Sequence, residues 1–164
     1  MTGMTKVDEA AFRAAMADLP AAVSIVTTTA ADGTPRGATV SAVTSVSMSP
    51  AMLLVCLDAR SDTLAALDRG RRFLVHVAAD GQQETVMRFA GKGAEKFSAV
   101  PWTADASGQP FIAGAGVVFT CVAEILQPAG DHTVVIGAIV GIDHDPSRRP
   151  VVYHRRALLP SPAL

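Results

Sequence analysis

The sequence predicts a mainly β protein with a few short helices, whose strands form an antiparallel sheet or barrel. β-branched and apolar stretches recur along the 164 residues, and most follow one another directly with only turn residues between them. Helical periodicity is confined to three short segments. Because a parallel doubly wound sheet needs a helix after nearly every strand, about seven strands and three helices in this order favour an antiparallel arrangement.

The first half of the chain supplies four strands and two helices. Asp8 is a helix N-cap, and the helix that follows it ends before Pro20. Ser61 caps a second, shorter helix that ends at Gly70. The predicted strands of this half are 22–29, 36–47, 51–57 and 73–78, with a turn at 31–33. The uninterrupted apolar run of the third strand is typical of a strand buried on both faces.

The second half begins with a helix over 82–89 and a further helical turn within 91–97. Residues 98–116 contain two prolines and three glycines and are predicted to form a loop. The predicted strands of this half are 117–126, 133–143 and 150–154. Gly137 and Gly141 share one face of the middle strand, which leaves room there for another group to approach closely.

Composition excludes several classes of function. With 49% hydrophobic and 18% charged residues, the chain is a folded protein, expected to be one domain over 1–164 with its core at about 8–157. A net charge of −1 gives no attraction to nucleic acid or to an anionic membrane. No apolar run is long enough to span a bilayer. The acidic N-terminal segment and the isolated cysteines, Cys56 and Cys121, favour a cytoplasmic protein with free thiols.

The common nucleotide, hydrolase and metal motifs are absent from the sequence. The glycines of 114–116 lack the third glycine of a dinucleotide fingerprint and precede a strand instead of a helix. The chain has neither GxSxG nor HExxH, and the four histidines are dispersed. We therefore expect no metal site.

Hydroxyl residues recur in the strand GATVSAVTSVS over 37–47. Thr39, Ser41, Ser45 and Ser47 differ by even steps, so a regular strand would place them on one face. Two interpretations stay open: the solvated face of an edge strand, or a polar wall that hydrogen-bonds a planar ligand.

Two further segments are ambiguous in the same way. In CLDARSDTLAAL, Ser61 and Thr63 lie where a strand runs into a helix, which is typical of a phosphate pocket but also of an ordinary N-cap. In RFAGKGAEKF, cations alternate with Phe89 and Phe97. These cations either hold the phosphates of a nucleotide or are surface side chains above core phenylalanines.

The segment GDHTVVIG places Asp131 and His132 at the start of a buried strand. A single histidine there is commonly structural, and Asp131 is also a good turn residue. In the functional interpretation, Asp131 orients the imidazole while His132 hydrogen-bonds a reacting ring or a carboxamide.

In this order and spacing, the segments resemble the short-chain flavin reductases, the reductase components of two-component flavin-dependent monooxygenases. The matching segments are FRAAMADLPAAVSIVTT, GATVSAVTSVSMSP, LLVCLDARSDT, RFAGKGAEKF, GDHTVVIG and VVYHRR, which run from Phe12 to Arg156. The resemblance implies a split β-barrel of the FMN-binding type. It also implies a homodimer with flavin near the subunit interface.

The resemblance also implies which residues bind the cofactor, FMN or FAD. Those assigned to the isoalloxazine and ribityl chain are Thr39, Ser41, Ser45, Val46 and Ser47. Those assigned to flavin and phosphate at the strand-to-helix turn are Leu57, Asp58, Ser61 and Thr63, with Phe89 and Lys92 as further contacts. His132 is assigned to the nicotinamide as the catalytic residue, and Tyr153 is a second candidate.

The predicted activity is NAD(P)H:flavin oxidoreduction, in which hydride passes from NADH or NADPH to the flavin and a partner monooxygenase receives the reduced flavin. A flavin-binding electron-transfer or carrier protein on the same barrel is the main alternative. An oxidase or haem-associated barrel and a barrel without cofactor are the others. The sequence leaves open which flavin and which nicotinamide are used, how tightly flavin is held, and which oxygenase is the partner.

Overall fold

The computed structural model describes residues 7–162, apart from the side chain of Ala94. The predicted domain limits, 1 and 164, lie outside this range, as does the beginning of the acidic N-terminal segment. None of the helices within 7–162 has the length and apolar character needed to cross a membrane.

The predicted antiparallel, mainly β fold is confirmed. Seven strands form one antiparallel sheet in the order β3-β2-β6-β9-β10-β5-β4. In chain order they are β2 (Ser24–Thr29), β3 (Pro35–Val40), β4 (Val43–Met48), β5 (Ala51–Asp58), β6 (Arg72–Val77), β9 (Val117–Ala129) and β10 (His132–His144). The predicted turn at 31–33 joins β2 to β3, and Gly33 has the positive φ that such a turn requires.

The sheet curls into a split β-barrel because β3 and β4 are consecutive in the chain yet form its two opposite edges. The chain leaves β3 at Val40, crosses through Ser41 and Ala42, and enters β4 at Val43. The backbone N–H of Cys56, on β5, donates to the Ala42 carbonyl at 3.1 Å. This hydrogen bond holds the crossover between β3 and β4 against β5. The predicted single strand over 36–47 is therefore wrong, and its four hydroxyls do not share one continuous face.

Smaller sheets and helices cover the barrel. β1 (Ala21–Ala22), β11 (Val151–His154) and β12 (Ala157–Pro160) form a three-stranded sheet. β7 (Thr103–Ala104) and β8 (Pro110–Phe111) form a hairpin inside the segment predicted to be a loop. The helices are α1 (Glu9–Ala17), α2 (Asp62–Ala65) and α3 (Gln83–Ala90), with a 3₁₀ turn over Ala94–Lys96. The Asp8 and Ser61 caps are confirmed, since each side chain accepts a hydrogen bond from its helix.

Two apolar clusters form the core. The first fills the barrel and includes Val55, Phe73 and Val135, all fully buried. The second lies between β2, α3 and β11 and includes Ile25 and Phe89. α3 thus seals one side of the barrel, and its C-terminal end lies at the barrel's split.

Two expectations about buried faces are wrong. β5 is buried on one face only: Leu53, Val55 and Leu57 point inward, while the alternating residues between them are half-buried.

The space beside Gly137 is filled by core packing, since a Cβ there would lie 2.6 Å from Phe73 Cζ. Similarly, a Cβ at Gly141 would lie 3.3 Å from Thr120. Buried Gly137 therefore leaves no room for a ligand, whereas Gly141 is partly exposed and lines a separate cleft with Thr120.

Candidate functional site

A cleft of about 480 Å³ opens at the split between the two barrel edges. Four parts of the chain line it: β3 with the crossover after it, the corner from β5 into α2, the end of α3 with the following loop, and the start of β10. A volume of this size is typical of a pocket for a small organic ligand or cofactor.

Nine of the thirteen predicted site residues line this cleft. They are Thr39, Ser41, Leu57, Asp58, Ser61, Thr63, Phe89, Lys92 and His132. Residues as far apart in sequence as Thr39 and His132 therefore reach one surface.

The other four predicted residues do not line the cleft. Ser45, Val46 and Ser47 lie on β4, beyond the break in the strand. Tyr153 lies on β11, where it packs against the second core cluster. The assignment of the three β4 residues to the flavin and of Tyr153 to the nicotinamide stays a prediction, and it requires that these ligands extend beyond this cleft.

The wall formed by β3 and α3 is tightly packed. A Cβ at Gly37 would lie 2.6 Å from Phe89 Cε1, so only glycine allows the strand to approach the ring this closely. Phe89 meets Phe97 edge to face, with ring centroids 4.9 Å apart. The Thr39 hydroxyl donates to the Val86 carbonyl at 2.6 Å, which fixes β3 against α3. This hydroxyl therefore supports the wall in addition to lining the cleft.

The corner between β5 and α2 carries paired charges. The Ser61 hydroxyl accepts from the Thr63 N–H at 3.2 Å. Arg60 Nη2 lies 3.2 Å from Asp58 Oδ2, and this pairing lowers the pKa of Asp58 to about 2. The Asp58 carboxylate is therefore ionised at neutral pH. α2 is a single turn, so the hydroxyls and cations of this corner are better candidates for binding a phosphate than the helix itself.

His132 lines the cleft, and its imidazole meets Asp131, the contact that the functional interpretation of this segment expects. His132 Nδ1 lies 2.7 Å from Asp131 Oδ1. Because a carboxylate only accepts, Nδ1 carries the hydrogen and Nε2 is left for other partners. The His132 side chain is 47% exposed and that of Asp131 95% exposed. The hydrogen bond from His132 lowers the pKa of Asp131.

Sequence reasoning missed several residues of the cleft. Gly37, Arg36 and Arg60 line it, and so does Lys96, which was considered only as one of several cations beside phenylalanines. The position of Gly37 in a β-branched strand was a usable signal, since a glycine there indicates close approach of another group. Lys96 had no such signal, because its partners are backbone carbonyls: that of Phe89, seven residues away, and that of Gly37, far away in the sequence.

The residues present fit a flat, phosphate-bearing ligand such as a flavin. Leu57, Val40 and Phe89 supply buried apolar surface, while hydroxyls and cations surround it. Within residues 7–162 no group of three acidic, histidine or cysteine side chains is placed to hold a metal ion. The fold and the cleft together define a split-barrel protein with a site of the flavin-binding kind.

The family follows from comparison with known proteins. The model of the flavin reductase like domain matches residues 16–160. The chain belongs to this family.

Relatives of known name agree with the assignment. The flavin reductase (NADH) of Kitasatospora aureofaciens is 39% identical over 92% of this chain and 81% of its own length. The reductase subunit HsaB of a flavin-dependent monooxygenase from Rhodococcus jostii is 30% identical over 91% of this chain and 76% of its own. The structure of the NADH:FAD oxidoreductase SgcE6 of Streptomyces globisporus with NAD and FAD fragments superimposes with a TM-score of 0.84, at 29% identity over 95% of this chain and 96% of that one.

Proposed function

We propose that this protein is an NAD(P)H:flavin oxidoreductase that reduces FMN or FAD and supplies the reduced flavin to a partner monooxygenase. The observation that carries the proposal is the cleft, in which nine residues assigned to flavin or nicotinamide meet at the split of the barrel. Membership of the flavin reductase family supports it, as do relatives named as NADH-dependent reductases and as monooxygenase reductase subunits.

The wall formed by β3 and α3 and the corner between β5 and α2 would hold the flavin. Leu57 and Phe89 are buried and close the cleft towards the core, while Ser41, Ser61 and Thr63 offer hydroxyls for the polar atoms of the flavin. Lys92 is exposed at the cleft, so its ammonium can pair with a phosphate. The bound flavin supplies the redox chemistry, because its ring accepts a hydride from the reduced nicotinamide. The protein contributes positioning and electrostatics.

His132 would contact the nicotinamide at the rim of this cleft. Its Nδ1–H is committed to Asp131, so Nε2 is the ring atom left to accept from a polar group such as a carboxamide. The pairing sets the tautomer and limits rotation of the ring. We expect His132→Ala to lower the rate with NADH or NADPH about tenfold, the value of one lost hydrogen bond of about 1.4 kcal/mol, with flavin affinity little changed.

We also propose that two copies associate through the outer face of the sheet. Leu54, Ile136 and Ile125 are paired across β5, β10 and β9, and form an apolar row on that face. Ile125 is 49% exposed, and Ile142, six residues beyond Ile136 on β10, is 63% exposed. Apolar rows of this kind are usually covered by protein. Sedimentation velocity should show a dimer that Ile125→Lys with Ile142→Lys converts to a monomer.

Both cysteines of the chain, Cys56 and Cys121, are free thiols in the structure. Burial raises the pKa of Cys121 to about 12, so this thiol stays protonated and inert. Free thiols support a location in the reducing cytoplasm, where reduced nicotinamide is also present.

The test is aerobic oxidation of NADH and NADPH by the purified protein, with and without added FMN, FAD or riboflavin. The proposal predicts turnover that rises with added free flavin, and the same assay identifies the preferred donor and flavin. Tight flavin binding without turnover would instead identify a flavin carrier on the same barrel. Failure to bind any flavin would contradict both functions.

A further inference from the structure

Lys96 connects the two elements that form one wall of the cleft. Its Nζ donates to the Gly37 carbonyl of β3 at 3.1 Å and to the Phe89 carbonyl of α3 at 3.2 Å. The side chain is partly buried, and this removal from water lowers its pKa, while the charge of Asp62 opposes the shift. Two of its three N–H donors are therefore engaged with backbone oxygens.

The bond to Phe89 also closes a short loop. Phe89 and Lys96 lie seven residues apart, and the segment between them contains Lys92 flanked by Gly91 and Gly93. Gly93 has φ +108°, a conformation that other residues rarely adopt. A segment with two glycines has many accessible conformations unless its ends are held together. The Lys96 ammonium holds them together.

Aromatic side chains pack at the base of this loop. The Phe89 ring packs against Phe97, and Phe97 packs in turn against Trp102 with centroids 5.7 Å apart. Lys92 itself is exposed, lines the cleft, and forms no ion pair with any residue of the described range 7–162. The loop therefore presents one uncommitted cation from a fixed base.

We propose that Lys96 is a positioning residue for Lys92: it fixes the loop so that the Lys92 ammonium meets the phosphate of the flavin. This rests on the proposed function, since it assumes a flavin in the cleft. Lys96 acts through the loop, and Lys92 provides the contact. Lys92 and Lys96 together would thus make the protein bind phosphorylated flavins more tightly than riboflavin.

The test measures binding of FMN and of riboflavin by flavin fluorescence, with no turnover needed. Lys92→Met and Lys96→Met should each weaken FMN binding about tenfold, and the double variant should lose no more than either single one. Riboflavin, which lacks the phosphate, should bind all variants within about twofold of the wild type. Arg88→Met is the matched control: Arg88 is exposed on α3 outside the cleft, and its removal should leave both affinities unchanged.

Two outcomes would overturn the positioning role of Lys96, and a third would overturn the proposed function. Losses that multiply in the double variant would show that the two lysines act independently. Equal losses for FMN and riboflavin in Lys96→Met would show that Lys96 only supports the wall. A wild-type protein that binds neither flavin would overturn the proposed function itself. If Lys96→Met does not fold, Lys96→Gln removes the charge but retains an N–H donor, and the same comparison applies.

Discussion

Two histidines, one on β6 and one at the start of β10, show how the same side chain becomes structural or available for function. His76, on β6, is buried, and both of its ring nitrogens are bonded to backbone: Nδ1 to the Ile25 carbonyl at 3.0 Å and Nε2 to the Ile112 N–H at 3.1 Å. Since a carbonyl only accepts and an N–H only donates, the ring is held neutral in one tautomer. His132 has one partner, the Asp131 carboxylate, and is half exposed.

The difference lies in what each histidine supports. His76 joins β2 to the segment after the β7–β8 hairpin, and its loss leaves two backbone groups unpaired in the core. His132 lies at the cleft and supports no packed element. Stability should therefore depend on the first histidine and activity on the second.

His76→Ala should give the largest effect on stability. It leaves a buried carbonyl and a buried N–H without partners and creates a cavity, which together cost about 4 kcal/mol of the free energy of unfolding. Urea denaturation followed by circular dichroism measures the change. His132→Ala should stay within about 0.5 kcal/mol of the wild type. Equal destabilisation by the two variants would contradict the comparison.

The pH dependence of stability should follow from His76 as well. Burial lowers its pKa from 6.5 to about 4 in the folded protein. Between these values the unfolded chain binds the proton and the folded protein does not, so stability is complete above pH 6.5 and falls towards pH 4. The loss amounts to about 3 kcal/mol. His76→Gln, which keeps hydrogen-bonding groups but does not titrate, should lose this part of the slope between pH 7 and 4.5. An unchanged slope would contradict the assignment.

The sequence predicted the features whose contacts join residues close together in the chain, and it missed those whose contacts join distant residues. The caps at Asp8 and Ser61 and the Asp131–His132 pair are local, so neighbouring residues were enough to identify them. The break at Ser41 depends on a hydrogen bond between Ala42 and Cys56 from another strand, which no local pattern shows. Nine of the thirteen residues assigned from the family resemblance do line the cleft, because a family pattern carries such distant contacts implicitly.

The two glycine contacts illustrate the same limit. Gly137 was expected to leave room for a ligand, yet Phe73 from β6 fills that space. Gly37, to which the sequence pattern assigned no contact, faces Phe89 at the cleft. Sequence identifies a glycine where close approach is needed, but only the fold shows which group approaches.

Gly37→Ala and Gly137→Ala give a matched test of the two regions. Each adds a Cβ at 2.6 Å from a phenylalanine ring, so each should destabilise the fold by about 2 kcal/mol through overpacking. Only Gly37→Ala displaces Phe89 in the cleft, so only this variant should weaken FMN binding in a fluorescence titration. An equal loss of FMN affinity in Gly137→Ala would mean that the interior of the barrel and the cleft are coupled.

Asp131→Ala should have the smallest effect, and it tests whether Asp131 acts through His132. The Asp131 side chain is 95% exposed, so losing this pair should leave the urea denaturation midpoint unchanged. The imidazole would lose its fixed tautomer, and the NADH-dependent rate should fall about two- to threefold. Asp131→Asn, whose amide oxygen still accepts the Nδ1–H, should retain most of that rate. In a His132→Ala background, Asp131→Ala should have no further effect, because the carboxylate then has no ring to orient; a further fall would show that Asp131 acts by a separate route.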